Sequence, residues 1–450
     1  MAGGTFDRLT GKVRPGTYIN IENARQETVG VGERGVVLLP LIGHSYGPAK
    51  EFITLTNDSP DAGWDKLGFS VYDDNPSMLL IREAFKNAQS VIVYITSQGT
   101  KATIVSGDLT GNARYGGSRG NALSFSVVAS PIDGFDVTVY LDADIVSQYE
   151  GLNTIEELIA QDNPWITFSG TGALVAVAGA KLTGGTDGAL VVGDITEFLD
   201  KSESLKWTTL AFPMAPTGVV GDPAPALYEA VKSKIKYLRE EAGKYRKAVI
   251  PGFAADYEGI INVTNSVIVN GQALTPAQVT AWVAGVDAGA SNTQSNTYSK
   301  YLGATGIVGL KSHAEAVSSI NNGEFFFSYS EQGDVVVEYD INSLITFTQK
   351  KNKSYRKNRV LRVFDTFSEA LMLNFPPNKF DNGPVGWDIM EGIGRSILKM
   401  FFEAGAIKNV DYDNDLLVDR GISIGDETYF NVGLEPLDSS EKLFFSIKTR

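Results

Sequence analysis

The sequence contains no cysteine, and this absence removes several kinds of chemistry at once. Disulfides, zinc sites built from thiolates and thiol nucleophiles are all excluded. Only two histidines, His44 and His313, occur in 450 residues, which leaves little for imidazole-based catalysis or metal ligation. The sequence therefore predicts neither a cofactor nor a metal site.

Positive charge and long apolar runs are also scarce. The formal net charge is −14, whereas proteins that bind nucleic acid in general carry a basic balance. No window holds eighteen consecutive apolar residues, so no membrane span is expected. The first residues lack the apolar segment of a secretion signal. These features predict a highly soluble protein that is made in a cytoplasm.

What the sequence does contain is a patterned C-terminal end. Residues 421–450 show two strand patterns, separated by a turn over residues 435–440 that contains Pro436. Each pattern has one face of alternating side chains. In the first strand they are Thr428, Phe430, Val432 and Leu434, and in the second they are Leu443, Phe445 and Ile447. Because a chain end is usually polar and frayed, this apolar end is expected to pair with something.

The N-terminal end carries a matching short strand pattern over residues 17–21. Its members are Thr17, Tyr18, Ile19 and Ile21, with the two isoleucines on one face. Short strand units with available edges can add to the sheet of another chain. Pattern alone leaves an alternative open, in which both ends close one sheet within a single subunit.

Between the two ends, the pattern of elements changes twice. A strand at residues 35–40, a helix capped by Asn75 and a strand at 91–95 form a βαβ unit, so these strands are expected to be parallel. Short alternating runs with glycine-rich turns then fill residues 100–188, as is typical of a small sandwich or barrel. Further predicted helices and strands follow, at 207–212, 226–242, 248–250, 260–269, 275–286, 335–339, 344–348 and 387–402.

The sequence thus predicts a mixed α/β protein with several domains. A central α/β domain is interrupted by an all-β sandwich or barrel and followed by an α+β C-terminal domain, with extended strand arms at both ends. The predicted parts are an N-terminal arm at 1–28, the α/β domain at 29–98 and 189–348, the all-β insert at 99–188, the C-terminal domain at 349–420 and the terminal strands at 421–450.

Candidate catalytic residues are few. His44 and Ser45 share a tight loop, which keeps a hydrolase-like α/β enzyme as the alternative function, but no G-x-S-x-G motif is present. No phosphate-binding P-loop occurs either. Asp411, Asp413 and Asp415 have the alternate spacing of a calcium loop without its glycine and glutamate, so they are interpreted as solvated surface. The sequence predicts that the protein is not an enzyme.

A basic run is the strongest local departure from the acidic background. Residues 350–362 read KKNKSYRKNRVLR. The run is interpreted either as a solvated connector or as a contact with an acidic partner surface. On the predicted helix 387–402, Arg395 and Lys399 could add to that contact, although Glu391 stands four residues before Arg395 and could pair with it.

Several segments, taken together and in order, resemble the sheath proteins of contractile phage tails. The resemblance runs over nearly the whole chain and is closest to sheaths of phages, prophages and phage-tail-like bacteriocins of Gram-positive bacteria. It is carried by these segments: RGVV at 34–37 with GP at 47–48, LREE at 238–241 leading to AV at 248–249, EGIINV at 258–263 and LEPLDSSEKLFF at 434–445.

The resemblance implies a structural subunit that stacks as hexameric rings into a helical cylinder around a tail tube. Contraction of that cylinder drives the tube through the host envelope for genome ejection or killing. The implied partners are further copies of the chain, the tail tube protein, and the baseplate and tail terminator proteins. The implied location is the tail of a virion or phage-tail-like particle assembled in the bacterial cytoplasm.

The resemblance also implies roles for particular parts of the chain. The central domain is expected to be subtilisin-like in fold, without a protease triad. An N-terminal strand of one subunit and a C-terminal strand of another are expected to join the C-terminal sheet of a third. The C-terminal domain is expected to face the tube, which makes these cations the candidate tube contacts: Lys350, Lys351, Lys353, Arg356, Lys357, Arg359, Arg395 and Lys399.

Overall fold

The computed structural model of the protein describes residues 2–4, 16–18, 35–131 and 133–449. Its α-helices, numbered along the chain, are α1 (Trp64–Leu67), α2 (Pro76–Phe85), α3 (Ile155–Ile159), α4 (Val192–Ser202), α5 (Ala224–Glu240), α6 (Pro276–Gly289), α7 (His313–Asn321), α8 (Asn358–Asn374) and α9 (Pro384–Glu403). Its strands are β1 (Ala2–Gly4), β2 (Gly16–Tyr18), β3 (Val36–Leu41), β4 (Phe52–Thr56), β5 (Ser90–Ile95), β6 (Thr103–Ser106), β7 (Leu109–Ala113), β8 (Leu123–Ala129), β9 (Phe135–Leu141), β10 (Asp144–Leu152), β11 (Ile166–Ser169), β12 (Val177–Lys181), β13 (Thr209–Ala211), β14 (Lys247–Pro251), β15 (Ile260–Val263), β16 (Ser266–Val269), β17 (Gln272–Ala273), β18 (Ala304–Val308), β19 (Glu324–Phe325), β20 (Phe327–Tyr329), β21 (Val335–Val337), β22 (Leu416–Val418) and β23 (Phe430–Val432).

The chain forms two compact units. The larger unit holds the described residues of Glu33–Thr366 together with Gly405–Lys408 and Glu435–Arg450. The smaller unit holds β1 and β2 together with Phe367–Ala404 and Asn409–Leu434. The last residues of the chain therefore belong to the larger unit, although β23, which directly precedes them, belongs to the smaller one.

The larger unit is built on a seven-stranded sheet in the order β19-β15-β14-β13-β3-β5-β4. All neighbours are parallel except β4, which pairs antiparallel with β5 at one edge. The predicted parallel pairing of the first and third elements of the βαβ unit is therefore confirmed. Most of these strands are apolar on both faces, as expected of a sheet that helices cover on both sides.

Successive residues of the central strands point alternately into two separate hydrophobic cores. On β3, Val37 and Leu39 point into a core that includes α2 and α6, whereas Leu38 points into a core that includes α4 and α5. Helix α6, which covers the predicted helix 275–286, begins at a capping box in which the side chains of Thr275 and Gln278 each accept the other residue's backbone amide. The result is a three-layer α/β arrangement.

The chain leaves the central sheet after β5, forms a β-sandwich, and returns to the larger unit before α4. The sandwich consists of the sheets β10-β9-β8-β12 and β11-β7-β6, and its core includes Phe125 and Trp165. The two connections run side by side, with Thr100 and Thr186 as bridge partners. At this neck the backbones approach so closely that a Cβ on Gly99 would stand 2.2 Å from the Thr186 carbonyl oxygen. The predicted all-β insert is confirmed, in its sandwich form.

Two strand predictions in the central domain are wrong. The predicted strand 260–269 divides into β15 and β16, which lie in different sheets. Between them, the Asn265 side chain accepts a bond from Phe327 N at 2.8 Å and donates one to Phe327 O at 2.9 Å. No strand forms at 344–348, because the Asp256 carboxylate accepts the backbone amides of Ile345 and Thr346. A side chain thus takes the hydrogen bonds that a ladder would need.

The smaller unit contains a two-stranded antiparallel sheet, β22-β23, on which α9 packs. Gly394 of α9 allows a close approach, since a Cβ there would lie 2.3 Å from a methyl carbon of the buried Leu416 on β22. Strands β1 and β2 pair with each other in parallel. Helix α9 extends the predicted helix 387–402 by a few residues at its N-terminal end.

Candidate assembly interface

The last residues of the chain form an apolar arm that has no strand partner among the described residues. Residues 438–449 adopt no regular structure, so the strand predicted at 443–447 does not form in this single chain. Its apolar side chains are largely exposed: Leu443 is 67% exposed, Phe444 92%, Phe445 82% and Ile447 92%. Such a concentration of exposed apolar side chains marks an interaction site rather than ordinary surface. We call residues 443–449 the C-terminal arm.

The residues just before the arm are bound firmly to the larger unit. Ile407 and Pro436 form a bridge, and Leu437 N donates to Ala406 O at 2.9 Å. Further on, the Glu441 carboxylate accepts bonds from Ser295 and Thr297 at 2.7 and 2.8 Å. We call residues 435–441 the root of the arm. Sequence reasoning missed its partners, because the two hydroxyl groups lie more than a hundred residues away and carry no motif.

Cations of the basic run complete the contact with the root. The Lys357 ammonium pairs with Glu441 and lies 3.4 Å from the Asp438 carboxylate, and Arg359 donates to the Ser439 hydroxyl. Burial lowers the pKa of Lys357, and the Asp438 charge opposes that shift. Two of the predicted tube-contact cations are therefore engaged by their own chain.

The smaller unit contains a short sheet whose outer edges are unpaired among the described residues. Sheet β22-β23 has two strands only, and among the described residues no third strand pairs with either of them. Two-stranded sheets are marginally stable and gain from a third strand or from a helix against one face. Phe430 and Val432, predicted to take part in strand exchange, lie in β23 and pair with Val418 and Leu416 of the same chain.

An apolar cleft of about 250 Å³ lies beside these strands. Its lining comes from α8, the residue that follows α8, β22 and β23: Leu371, Met372, Phe375, Leu416, Phe430 and Val432. Met372 and Val432 remain 49% and 41% exposed. The cleft therefore suits the apolar face of an additional strand.

The predicted N-terminal exchange strand is described only in part. Thr17 and Tyr18 lie in β2. Ile19 and Ile21 lie outside the described residues.

Other cations of the basic run divide into buried and exposed groups. Arg356 is buried, and its Nε and one terminal nitrogen have no hydrogen-bond partner among the described residues; burial lowers its pKa. Arg362 is fully buried and lies 3.2 Å from Asp287. Lys351 pairs with Glu258, whereas Lys350 and Lys353 are exposed. The interpretation of the whole run as a solvated connector is wrong, because its second half starts the buried part of α8.

On α9, Arg395 and Lys399 are both exposed. The pairing of Glu391 with Arg395 considered from the sequence is wrong: Arg395 donates to Tyr412 O at 3.1 Å, while Glu391 accepts from Val418 N and pairs with Arg420. Glu391 is thus a structural carboxylate that joins α9 to the end of β22.

The candidate hydrolase residues show no catalytic arrangement. His44 is buried, and its Nε2 lies 3.1 Å from Leu67 O, as expected of a loop histidine bonded to backbone. Burial lowers the pKa of His44 below 6.5. The Ser45 hydroxyl lies 3.3 Å from the Ser97 hydroxyl and accepts from Gly188 N. These bonds serve the junction of the central sheet with the β-sandwich, and the hydrolase alternative gains no support.

In the acidic segment 411–415, the carboxylates of Asp411 and Asp415 accept hydrogen bonds from other residues of the same loop. Asp415 accepts from Asp411 N at 2.6 Å, and Asp411 accepts from Asp413 N and from the Asn414 side chain. These bonds lower the pKa of Asp411. No group of three or more metal-ligating side chains occurs among the described residues.

In the described part of the chain, none of the helices combines the length and the apolar character needed to cross a membrane.

Comparison with protein families gives one consistent result. Three models of phage tail sheath proteins match consecutive stretches: the beta-sandwich domain at residues 96–187, the central domain at 188–343 and the C-terminal domain at 350–450. Among curated proteins, the phage-like element PBSX protein XkdK of Bacillus subtilis is 35% identical, with both chains covered completely. A tail sheath protein of Clostridium phage phiCD119 is 31% identical over 42% of this chain and 52% of its own.

Solved structures agree with the sequence matches. A sheath tail protein from Desulfitobacterium hafniense has a TM-score of 0.82 at 34% identity, covering 95% of this chain and 98% of its own. One from Listeria innocua has a TM-score of 0.76 at 35% identity, with 93% and 96% covered. The contracted helical sheath of the anti-feeding prophage shares the fold, with a TM-score of 0.57 at 13% identity and 98% and 100% covered. The chain belongs to the phage tail sheath protein family and is a structural component of a contractile tail particle.

Proposed function

We propose that the protein polymerises by strand exchange between subunits into a contractile sheath around a tail tube. The C-terminal arm of one copy adds to the β22-β23 sheet of another, with Leu443, Phe445 and Ile447 as the buried face. The exposure of these three side chains in the single chain is the observation that carries the proposal. Backbone hydrogen bonds of an added strand supply affinity, and alternate side chains supply specificity.

The geometry of such an exchange suits a filament. Donor and receiving surfaces differ, so copies can join head-to-tail, and such a contact propagates as a filament when the rotation between copies does not close a ring. Stacked hexameric rings that follow a helix satisfy this rule. The N-terminal strand that contains Thr17, Tyr18, Ile19 and Ile21 is proposed to be exchanged in the same way, and would then leave its partner β1.

Tube contact is proposed for the cations that remain available. Lys350, Lys353, Arg395 and Lys399 are exposed, and Lys351 is partly exposed. Arg356, Lys357 and Arg359 are less suited to this role, since they are buried in their own chain. If the proposal holds, Lys399→Glu weakens co-sedimentation of sheath with purified tubes, whereas Lys181→Glu, a change of an exposed lysine on the β-sandwich, does not.

The remaining parts of the proposal follow from family membership. The central domain is proposed to share the subtilisin fold without its chemistry, and the protein to act without enzymatic activity. The five-part division at 1–28, 29–98 with 189–348, 99–188, 349–420 and 421–450 remains our proposed domain scheme. Tail tube, baseplate and tail terminator proteins are the proposed partners, assembly is proposed to occur in the host cytoplasm, and contraction drives the tube through the host envelope.

Electron microscopy of the purified protein tests this function. The full chain is expected to form striated tubes, and a chain that ends at Lys442 is expected to remain folded without forming them. Because the removed side chains are exposed in the single chain, circular dichroism and thermal unfolding of the two proteins should agree. Long tubes from the shortened chain would refute strand exchange by the C-terminal arm.

A further inference from the structure

The root of the arm is held by a carboxylate-binding pocket of its own. The Glu441 side chain is only 8% exposed, although its neighbours along the chain, from Leu443 onward, project into solvent. One carboxylate oxygen accepts from Ser295 and Thr297, and the other accepts from Lys357. Three donors converge on one carboxylate, which is the arrangement expected of a specific site for an anion. We call these three donor residues the root pocket.

The floor of the root pocket is a second buried acid. Thr297 Oγ1, which donates to Glu441, accepts from Asp340 N at 3.0 Å. The Asp340 carboxylate in turn accepts from Asn296 N and from the Asn358 side chain, both at 2.9 Å. Asp340 is almost fully buried. These hydrogen bonds hold the Thr297 hydroxyl in the orientation in which it donates to Glu441.

From there, buried charges continue to the middle of the seven-stranded sheet. Arg362 of α8 lies 4.0 Å from Asp340 and 3.2 Å from Asp287 of α6. Asp287 pairs with Lys247 of β14 and accepts from Thr209 of β13 at 2.7 Å. Buried pairs of this kind are costly to break, because removal of one partner leaves an uncompensated charge. The root is thus connected, through buried charged groups, to the middle strands of the seven-stranded sheet.

We infer that the root pocket is a binding site for the Glu441 carboxylate that keeps the root on its own subunit while the arm is exchanged. This inference rests on the proposed strand exchange and adds the point at which the chain leaves its subunit. That point is residue 442. As an extended strand, residues 443–449 would be roughly 23 Å long, at about 3.3 Å per residue.

Spin labels on introduced cysteines test the inference, since the sequence has no cysteine of its own. In the isolated subunit, a label at Ser440→Cys is expected to be immobilised and one at Ser446→Cys to be mobile. Adding Glu441→Gln should mobilise the label at 440, and Ser295→Ala should do so in part. Glu427→Gln, a change of an exposed carboxylate elsewhere, is the matched control and should change nothing. Equal mobility at 440 with and without Glu441 would overturn the inference.

The assembled state gives the second measurement. A subunit labelled at both Thr293→Cys and Ser440→Cys, diluted into unlabelled protein, should show the same distance between labels as a monomer and in a sheath. A distance that changes on assembly would mean that the root itself moves to a neighbour, which overturns the inference while leaving strand exchange intact. Failure of the unlabelled chain to form sheaths at all would instead refute the proposed function, and the monomer experiment would still decide whether the pocket exists.

Discussion

Replacing Phe445 by aspartate should separate assembly from folding. Phe445 is 82% exposed in the single chain, so its replacement removes almost no packing from the subunit. In the proposed sheath the same ring is buried against a neighbour. Full burial of a phenylalanine side chain contributes about 2–3 kcal/mol, and the new carboxylate would add a desolvation cost.

A loss of about 2 kcal/mol in each contact corresponds to a roughly 30-fold rise in the subunit concentration at which tubes first form. The assay is light scattering against protein concentration, with tubes verified by electron microscopy. Ser446→Asp is the matched control, because it places the same charge one residue away on the opposite face of the arm. Both variants should unfold within about 0.5 kcal/mol of the original chain.

Two results would refute this reasoning. If Phe445→Asp forms tubes at the original concentration, the arm is not buried on assembly. If Ser446→Asp raises the threshold as much as Phe445→Asp, charge in the arm matters rather than an alternating apolar face, and the strand form of the exchange is wrong.

Three further predictions concern the subunit itself. Arg362→Met should lower the free energy of unfolding in urea by about 3–5 kcal/mol, because it leaves a buried carboxylate short of its cation, whereas Lys350→Met should change it by less than about 0.5 kcal/mol. Gly394→Ala should destabilise the protein by about 1–3 kcal/mol, because the new Cβ would overpack against Leu416. Gly392→Ala in the same helix, where a new Cβ has no neighbour within 4 Å, should stabilise it by about 0.5–1 kcal/mol. Thermal unfolding distinguishes the two variants. Burial lowers the pKa of His44, so the unfolded chain binds a proton at this histidine more readily than the folded chain does. The free energy of unfolding should therefore fall as the pH drops from about 7 to about 5.5. His44→Gln should remove this part of the pH dependence, as measured by urea unfolding at each pH.

Local patterns predict the central domain well, and the reasons are physical. The capping box at Thr275 and the continuous apolar run of β3 depend on residues that are close together in the sequence. Helix α8 was not predicted, because its first turns carry cations that pattern analysis assigns to solvent. Arg362 pairs with Asp287 of α6, and Asp365 of α8 pairs with Arg239 of α5. These residues are far apart in the sequence and come together only in the fold.

The candidate site shows the same division. Alternation in the sequence predicts a strand at 443–447 that needs a partner, but it leaves open whether that partner lies in the same chain. The exposure of Phe445 and Ile447 shows that the described part of the chain does not cover these side chains. The root pocket could not be predicted, since Ser295 and Thr297 are ordinary loop residues until the fold brings Glu441 to them. The sequence pattern predicts that residues 443–447 pair as a strand, whereas the contacts that hold the root are visible only in the folded chain.

The paired crossing at Thr100 and Thr186 has a consequence for how such particles diversify. Because the chain departs from and rejoins the larger unit at adjacent positions, the excursion between them can be shortened, lengthened or replaced without moving a strand of the parallel sheet. Any module whose two ends meet could be grafted there. The β-sandwich can then change in size or surface, while the parallel sheet and the two ends of the chain keep the structure described above.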